Sequence, residues 1–187
     1  MFELPEMTDY HVLAEPIYGS WEANMTHCLE RKPIDVCRMR REKSIVLGNS
    51  GVVRILKTGS KVTKCKEGDI CLLVPIGSYD DNGHMIRVFG YDAPHTMGLL
   101  AKQGVYHEYN VTPLANPSKH CYTRWAGFSV RYGTAWENWK LSYNVWRAQF
   151  DLNGTPPPHL SGWGGGVTLA PCISAARRAS SLRPTTV

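Results

Sequence analysis

The chain has 187 residues, 43% hydrophobic and 20% charged, with a net charge of +5 at neutral pH. This composition gives room for one globular domain and part of another. The charge is mild, partly gathered in Arg177, Arg178 and Arg183, and lacks the basic stripe with interleaved aromatics of a nucleic-acid binder. No apolar run reaches the length of a membrane span and no basic-then-apolar leader marks secretion. A cytoplasmic protein without membrane or nucleic-acid partners is therefore expected. Its six cysteines are expected to be free thiols, and the sequons at Asn24, Asn110 and Asn153 to be chance matches.

Residues 1–45 read as irregular, interrupted by Pro5, Pro16 and Pro33. From Ser44 the pattern changes: "SIVLGNSGVVRILKTGSKV" alternates β-branched residues with glycine-marked turns. "EGDICLLVPIG" follows, with Gly68-Asp69 as a turn before an apolar strand, then "MIRVFGYD" and "GVYHEYNVTPL" as two more short strands. Such a series predicts a β-barrel or sandwich. The period then becomes helical. Trp136, Trp139, Tyr143 and Trp146 fall on one face of a helix over 134–148, and Thr134 with Glu137 has capping-box spacing, which predicts a start at Thr134. "DLNGTPPP" breaks the chain, "HLSGWGGGVTLA" reads as a strand entering a glycine turn, and 171–187 read as a disordered tail.

Metal-ligand spacing is absent. There is no C-x-x-C or H-x-x-x-H, and Cys65 and Cys71 merely flank a turn. No G-x-S-x-G elbow is present. The one chemical signal is the glycine cluster, Gly162, Gly164, Gly165 and Gly166, followed by Val167 and Thr168. A strand running into such a turn lets backbone N–H groups approach a pyrophosphate at a helix N-terminus. The third glycine position holds Val167, and the match alone is weak.

Four segments in series carry a family resemblance. "LGNSGVVRILKTGSKVTKCKEGDICLLV" looks like a G-H-E-G-x-G-V-V…G-D-x-V stretch, with Gly48, Gly51, Gly59, Val62, Gly68 and Asp69 in place. "GVYHEYNVTPLANPSKH" looks like the strand that follows it. "WAGFSVRYGTAWENW" looks like the segment opening the helix between two domains, and "HLSGWGGGVTLA" like a first Rossmann strand with its turn. Together they resemble the medium-chain dehydrogenase/reductase superfamily over most of residues 30–170, closest to its zinc-independent quinone oxidoreductases and crotonyl- or enoyl-thioester reductases.

The resemblance implies a mainly β fold with some α: a GroES-like, partly open β-barrel over 1–133, a joining helix over 134–150 and a fragment of a Rossmann domain over 151–170. It implies NADPH as cofactor and an acyl thioester or enone as substrate. It places Asp35, Asn49, Tyr106, Tyr109 and Thr134 near the cleft. Thr134 would lie by the nicotinamide, Asn49 or a tyrosine such as Tyr106 would orient the substrate carbonyl, and Gly162 to Thr168 would cradle the pyrophosphate. Zinc is not expected. Lys32 stands where the alcohol dehydrogenases of the family place a ligand cysteine, and the His and Glu of G-H-E are Asn49 and Ser50. The resemblance stops after Ala170. One βαβ unit needs about 30 residues, and no Asp or Glu occupies 180–183 to meet a ribose. An impaired, shortened or frame-shifted reductase is expected, with two alternatives: a product without function, or a binding or assembly module that pairs with itself or a protein through the Trp136/Trp139/Trp146 face.

Overall fold

A computed structural model describes residues 3–81, 85–115 and 120–153. Its centre is a five-stranded sheet in the order β6-β1-β2-β3-β7, built from β1 (His11–Gly19), β2 (Gly51–Thr58), β3 (Ile70–Leu73), β6 (Gly104–His107) and β7 (Val111–Pro113). Every pairing in it is antiparallel. A separate hairpin pairs β4 (Ile76–Tyr79) with β5 (Met85–Val88).

The edge strands β6 and β7 are joined by a single 3-10 turn, Glu108–Asn110. Five strands laid flat would set those edges about 19 Å apart at about 4.8 Å per step. The chain from His107 to Val111 reaches at most about 14 Å when fully extended. The sheet therefore curls, bringing its edges toward one another, and the mainly β, partly open barrel expected from the sequence is the architecture of residues 3–130.

Alternation along the strands sorts two sets of side chains. Val12, Ala14, Val53, Ile55, Cys71 and Leu73 point inward and pack with Phe89, Leu99, Tyr106 and Val111. Val52 and Leu72, on the opposite face, meet Ala126 and Trp125 of a short helix α3 (Tyr122–Ala126). The central strands are thus buried on both faces, which explains why "GVVRI" and "ICLL" read as nearly continuous apolar runs.

The sequence reading of 1–45 as irregular is corrected. It holds β1, helix α1 (Ala23–Glu30) and helix α2 (Val36–Arg40). Pro16 hid β1, because a proline donates nothing to a ladder. Here β6 pairs only with His11–Ala14, and Pro16 lies where β1 has β2 alone beside it, next to a register shift. Helices α1 and α2 close over a second small core of Met25, Cys28, Val36 and Leu47. Asp35 caps α2 by accepting from the Arg38 N–H at 3.1 Å.

The expected helix start is also corrected. Helix α4 runs Phe128–Asn153, so Thr134 lies inside it rather than at its cap. An interior N–H already bonds the preceding turn and needs no side-chain acceptor. The contacts divide the chain into two units, 1–130 and 131–187. Apart from 151–153, which end α4, the expected Rossmann fragment and the tail lie outside the described residues.

Candidate functional site

The segment entering β2 is held by backbone bonds on both sides. Gly98 N–H donates to Val46 O at 2.8 Å, Leu100 N–H to Leu47 O at 2.9 Å and Leu99 N–H to Gly48 O at 3.0 Å, while Gly48 N–H donates to Gly90 O at 3.2 Å. Gly48 and Gly90 both have positive φ, and a side chain added at Gly90 or Gly98 would strike the backbone of 47–48. Three glycines are therefore required for this crossing, and it fixes the two residues that follow.

Those residues are Asn49 and Ser50. Ser50 Oγ donates to Ala126 O at 2.6 Å and lies 2.9 Å from Ser129 Oγ in the first turn of α4. Ser50 O in turn accepts from Ser20 N–H at 2.9 Å, at the approach to α1. Ser50 is a clasp between β2, the end of α3 and the start of α4. Asn49 is 1% exposed, and its Oδ1 has no hydrogen-bond partner among the described residues. An unmet buried acceptor costs about 1–3 kcal/mol, so its persistence marks the position. The Oδ1 of Asn24, on α1, is unmet in the same way.

Tyr106 is equally buried but in different surroundings. It sits in the barrel core, edge to face with Phe89 at a centroid distance of 5.4 Å, with its hydroxyl against Gly104. That hydroxyl also lacks a partner among the described residues, so Asn49 and Tyr106 are not hydrogen-bonded. Burial pushes the Tyr106 phenol above its ordinary range. Tyr109 is exposed on the 3-10 turn, 4.1 Å from the His107 ring. Asp35 is committed to its cap. Thr134 is exposed on α4, in the second unit. Gly162, Gly164, Gly165, Gly166, Val167 and Thr168 lie outside the described residues.

Two features escaped the sequence reading. One is the Ser50 clasp, whose only signal was a serine at the acid position of G-H-E. The other is Arg40, whose buried guanidinium bonds Glu42 at 2.7 and 3.0 Å, Tyr91 O at 3.0 Å and Thr96 O at 2.8 Å. Burial alone would raise the Glu42 carboxyl, but the bonds from Arg40 and His95 hold it below its usual value. Nothing in "VCRMRRE" distinguishes Arg40 from its neighbours.

The residues at this position do not fit a catalytic zinc. Asn49 and Ser50 offer neither imidazole, thiolate nor carboxylate, and Ser50 is already bonded. Among the described residues no three His, Cys, Asp or Glu side chains converge, and no helix is long and apolar enough to cross a membrane.

No family model and no curated protein matches the sequence. Solved structures do. The CAD of Helicobacter pylori in complex with NADP(H) is similar over 74% of this chain and 43% of its own, with TM-score 0.60 and 15% identity. The crotonyl-CoA carboxylase/reductase AntE in complex with NADP is similar over 65% of this chain and 33% of its own, with TM-score 0.54 and 17% identity. The 2-octenoyl-CoA carboxylase reductase CinF, from a Streptomyces species and in complex with NADP and 2-octenoyl-CoA, is similar over 60% and 30%, with TM-score 0.50 and 21% identity. These neighbours are medium-chain dehydrogenase/reductase-type enzymes, and at such identities the likeness establishes the fold. The chain spans between 30% and 43% of their lengths.

Proposed function

We propose that this chain belongs to an NADPH-dependent reductase lineage acting on a conjugated carbonyl, with an acyl thioester or enone as substrate. The observation that carries the reading is the barrel itself, which is similar to that of structures solved with NADP and, for CinF, with an enoyl-CoA. NADPH would supply the hydride; the protein supplies position and electrostatics. In this reading the backbone of Gly162, Gly164, Gly165, Gly166 and Val167, with the Thr168 hydroxyl, cradles the pyrophosphate. Thr134 lies beside the nicotinamide.

Asn49 is the better candidate to orient the substrate carbonyl. Its amide is buried, held on a rigid glycine crossing, and has an unused hydrogen-bonding atom. The amide oxygen and nitrogen are interchangeable by a χ2 flip, which would present a donor to the carbonyl. Tyr106 is less suited, because its hydroxyl is enclosed by the core. Zinc has no part in this proposal. The domain division proposed with it is a barrel, then a joining helix that corresponds to α4 (Phe128–Asn153), then a Rossmann segment up to 170 and a tail over 171–187.

NADPH titration of the full chain, followed by cofactor fluorescence and calorimetry, tests this reading. Saturable binding is expected, with slow NADPH oxidation on a trans-2-enoyl-CoA that Asn49→Ala reduces about tenfold or more, the scale of one lost transition-state hydrogen bond. No binding at millimolar cofactor overturns it.

A second reading rests on α4. Trp139 stacks on Tyr143 and Tyr143 on Trp146, each at 5.8 Å, while Trp136, Tyr143 and Trp146 remain 58%, 42% and 38% exposed. An aromatic stripe of this size is the kind of surface that binds another protein. In this reading the chain is a binding or assembly module, as a homodimer or on a protein partner. Sedimentation should then give a dimer or complex that Trp139→Ala dissociates; a monomer that captures no partner overturns it.

A further inference from the structure

Strands β1 and β6 begin their pairing with two histidines directly opposite one another, His11 and His107. The Glu108 N–H donates to Tyr10 O at 3.0 Å. That bond flanks the pair instead of joining its two residues. His11 and His107 therefore occupy a non-hydrogen-bonded rung, where facing side chains approach most closely. Their rings meet at 82° with centroids 5.3 Å apart, and both residues are half-buried, within reach of solvent.

Neighbouring groups hold the two rings in place. Tyr10 stacks on His107 at 6.0 Å, and the Tyr109 ring lies 4.1 Å from His107 on another side. Each imidazole uses one nitrogen. His11 Nδ1 lies 2.5 Å from Thr8 Oγ1, and His107 Nδ1 accepts from the Tyr109 N–H at 3.3 Å. Neither Nε2 is bonded among the described residues. The nearby charges are balanced. Lys61, over the Tyr10 ring, is paired with Asp9 at 3.0 Å, and Glu108 and Lys64 act on His107 in opposite senses.

Two imidazoles on one tetrahedral ion have a defined spacing. The ion lies about 2.0–2.1 Å from each nitrogen and so about 3.2 Å from each ring centre, and a tetrahedral angle then sets the centres about 5.2 Å apart. The His11 and His107 rings stand at 5.3 Å. A right-angled arrangement would need about 4.5 Å.

We propose that His11 and His107 bind a tetrahedral divalent ion of the zinc class through their Nε2 atoms, with water in the remaining positions. His11 Nδ1–H donates to Thr8 Oγ1, an outer contact of the kind that orients a ligating ring. His107 moves its proton from Nε2 to Nδ1 and gives up the long bond from the Tyr109 N–H, at an exposed residue where water replaces it. Glu108 is not a ligand, because its carboxylate accepts from the Thr63 N–H at 3.0 Å. No group of three His, Cys, Asp or Glu converges among the described residues. The site is thus a two-point clip rather than a closed structural centre. It uses neither Asn49 nor Ser50. It fastens the first rung of the β1–β6 ladder, beside the 3-10 turn that leads to β7.

Calorimetric titration of the reduced full chain with zinc chloride, at about pH 7.5 where an ordinary imidazole is neutral, tests the proposal. Saturable binding is expected, and His11→Gln and His107→Gln should each weaken it about tenfold or more. At free zinc about 100 times Kd, the folding equilibrium of the barrel should shift about 100-fold toward the native state, and either substitution should remove that shift. Hydrogen exchange on the unaltered chain gives a second measurement that needs no variant. Zinc should slow the amides of 11–14 and 104–107 and leave those of 76–79 and 85–88 unchanged. Coordination by cysteines is the main competitor, and it would survive both substitutions. Binding that persists in either variant overturns the proposal. So does an absence of binding at millimolar zinc, or protection that appears away from the β1–β6 seam.

Discussion

Phe89 and Tyr106 meet edge to face inside the barrel, whereas Trp139, Tyr143 and Trp146 stack in a row along α4, where Tyr143 and Trp146 are exposed and Trp139 is half-buried. The side chains are alike in size and hydrophobicity. Their fates differ because a curled sheet supplies its own second wall, while a single helix must find its partner in another element. Aromatic content therefore says little about where a core lies. The periodicity that carries the aromatics, read together with the neighbours available to them, says more.

The largest test of that contrast is Arg40. Arg40 is buried while its partner Glu42 is partly exposed, so Arg40→Ala chiefly leaves the carbonyls of Tyr91 and Thr96 without their donor, at about 1–3 kcal/mol each and about 2–6 kcal/mol together. Urea unfolding followed by Tyr and Trp fluorescence would show a lower midpoint for the barrel transition. Ser50→Ala comes next. It leaves Ala126 O without its donor, at a cost of about 1–3 kcal/mol, and hydrogen exchange should show earlier opening of α3 and the first turn of α4.

A pH titration separates the regions without mutation. Burial lowers the affinity of His11 and His107 for a proton, and His107 is lowered further by the charge on His11. The unfolded chain protonates both near 6.5, so it binds more protons than the folded chain just below that value. Barrel stability should therefore be intact above pH 6.5 and decline as pH falls below it. Residues 128–153 contain no histidine, and the helicity of α4 should not follow the same curve. The smallest effects belong to the aromatics themselves. Tyr106→Phe removes a buried hydroxyl without a partner and should leave the melting temperature unchanged or raised; a loss above about 1 kcal/mol would mean that the hydroxyl is bonded in solution. Trp136→Ala, on the exposed stripe, should change unfolding stability by less than about 0.5 kcal/mol.

Much of the barrel was legible in the sequence because β2 and β3 are buried on both faces and read as continuous apolar runs, each bounded by a glycine. β1 was hidden by Pro16, since local propensity cannot reveal that a strand has lost one neighbour at that residue. The start of α4 was misplaced for a related reason: Thr134 and Glu137 have the spacing of a cap, but the actual junction is set by Gly127 and by Ser129 facing Ser50, 79 residues apart in sequence. Of the candidate site, Asn49 was found through the G-H-E position it occupies. Its unmet amide oxygen and the Ser50 clasp depend on tertiary contacts that no local pattern encodes. Arg40 illustrates the same limit, because its carbonyl partners lie more than 50 residues away.

The link between β6 and β7 has a consequence for the growing chain. Strands β1, β2 and β3 are complete once residue 73 has been synthesised, but their outer neighbours arrive only with residues 104–113. Through those 30 to 40 residues of translation, about 2–8 s at typical elongation rates, both flanks of the nascent sheet have unpaired backbone groups able to join another chain. One short segment then seals both flanks together, so a ribosome stalled between residues 73 and 113 should release an aggregation-prone product, and one stalled shortly after 113 should not.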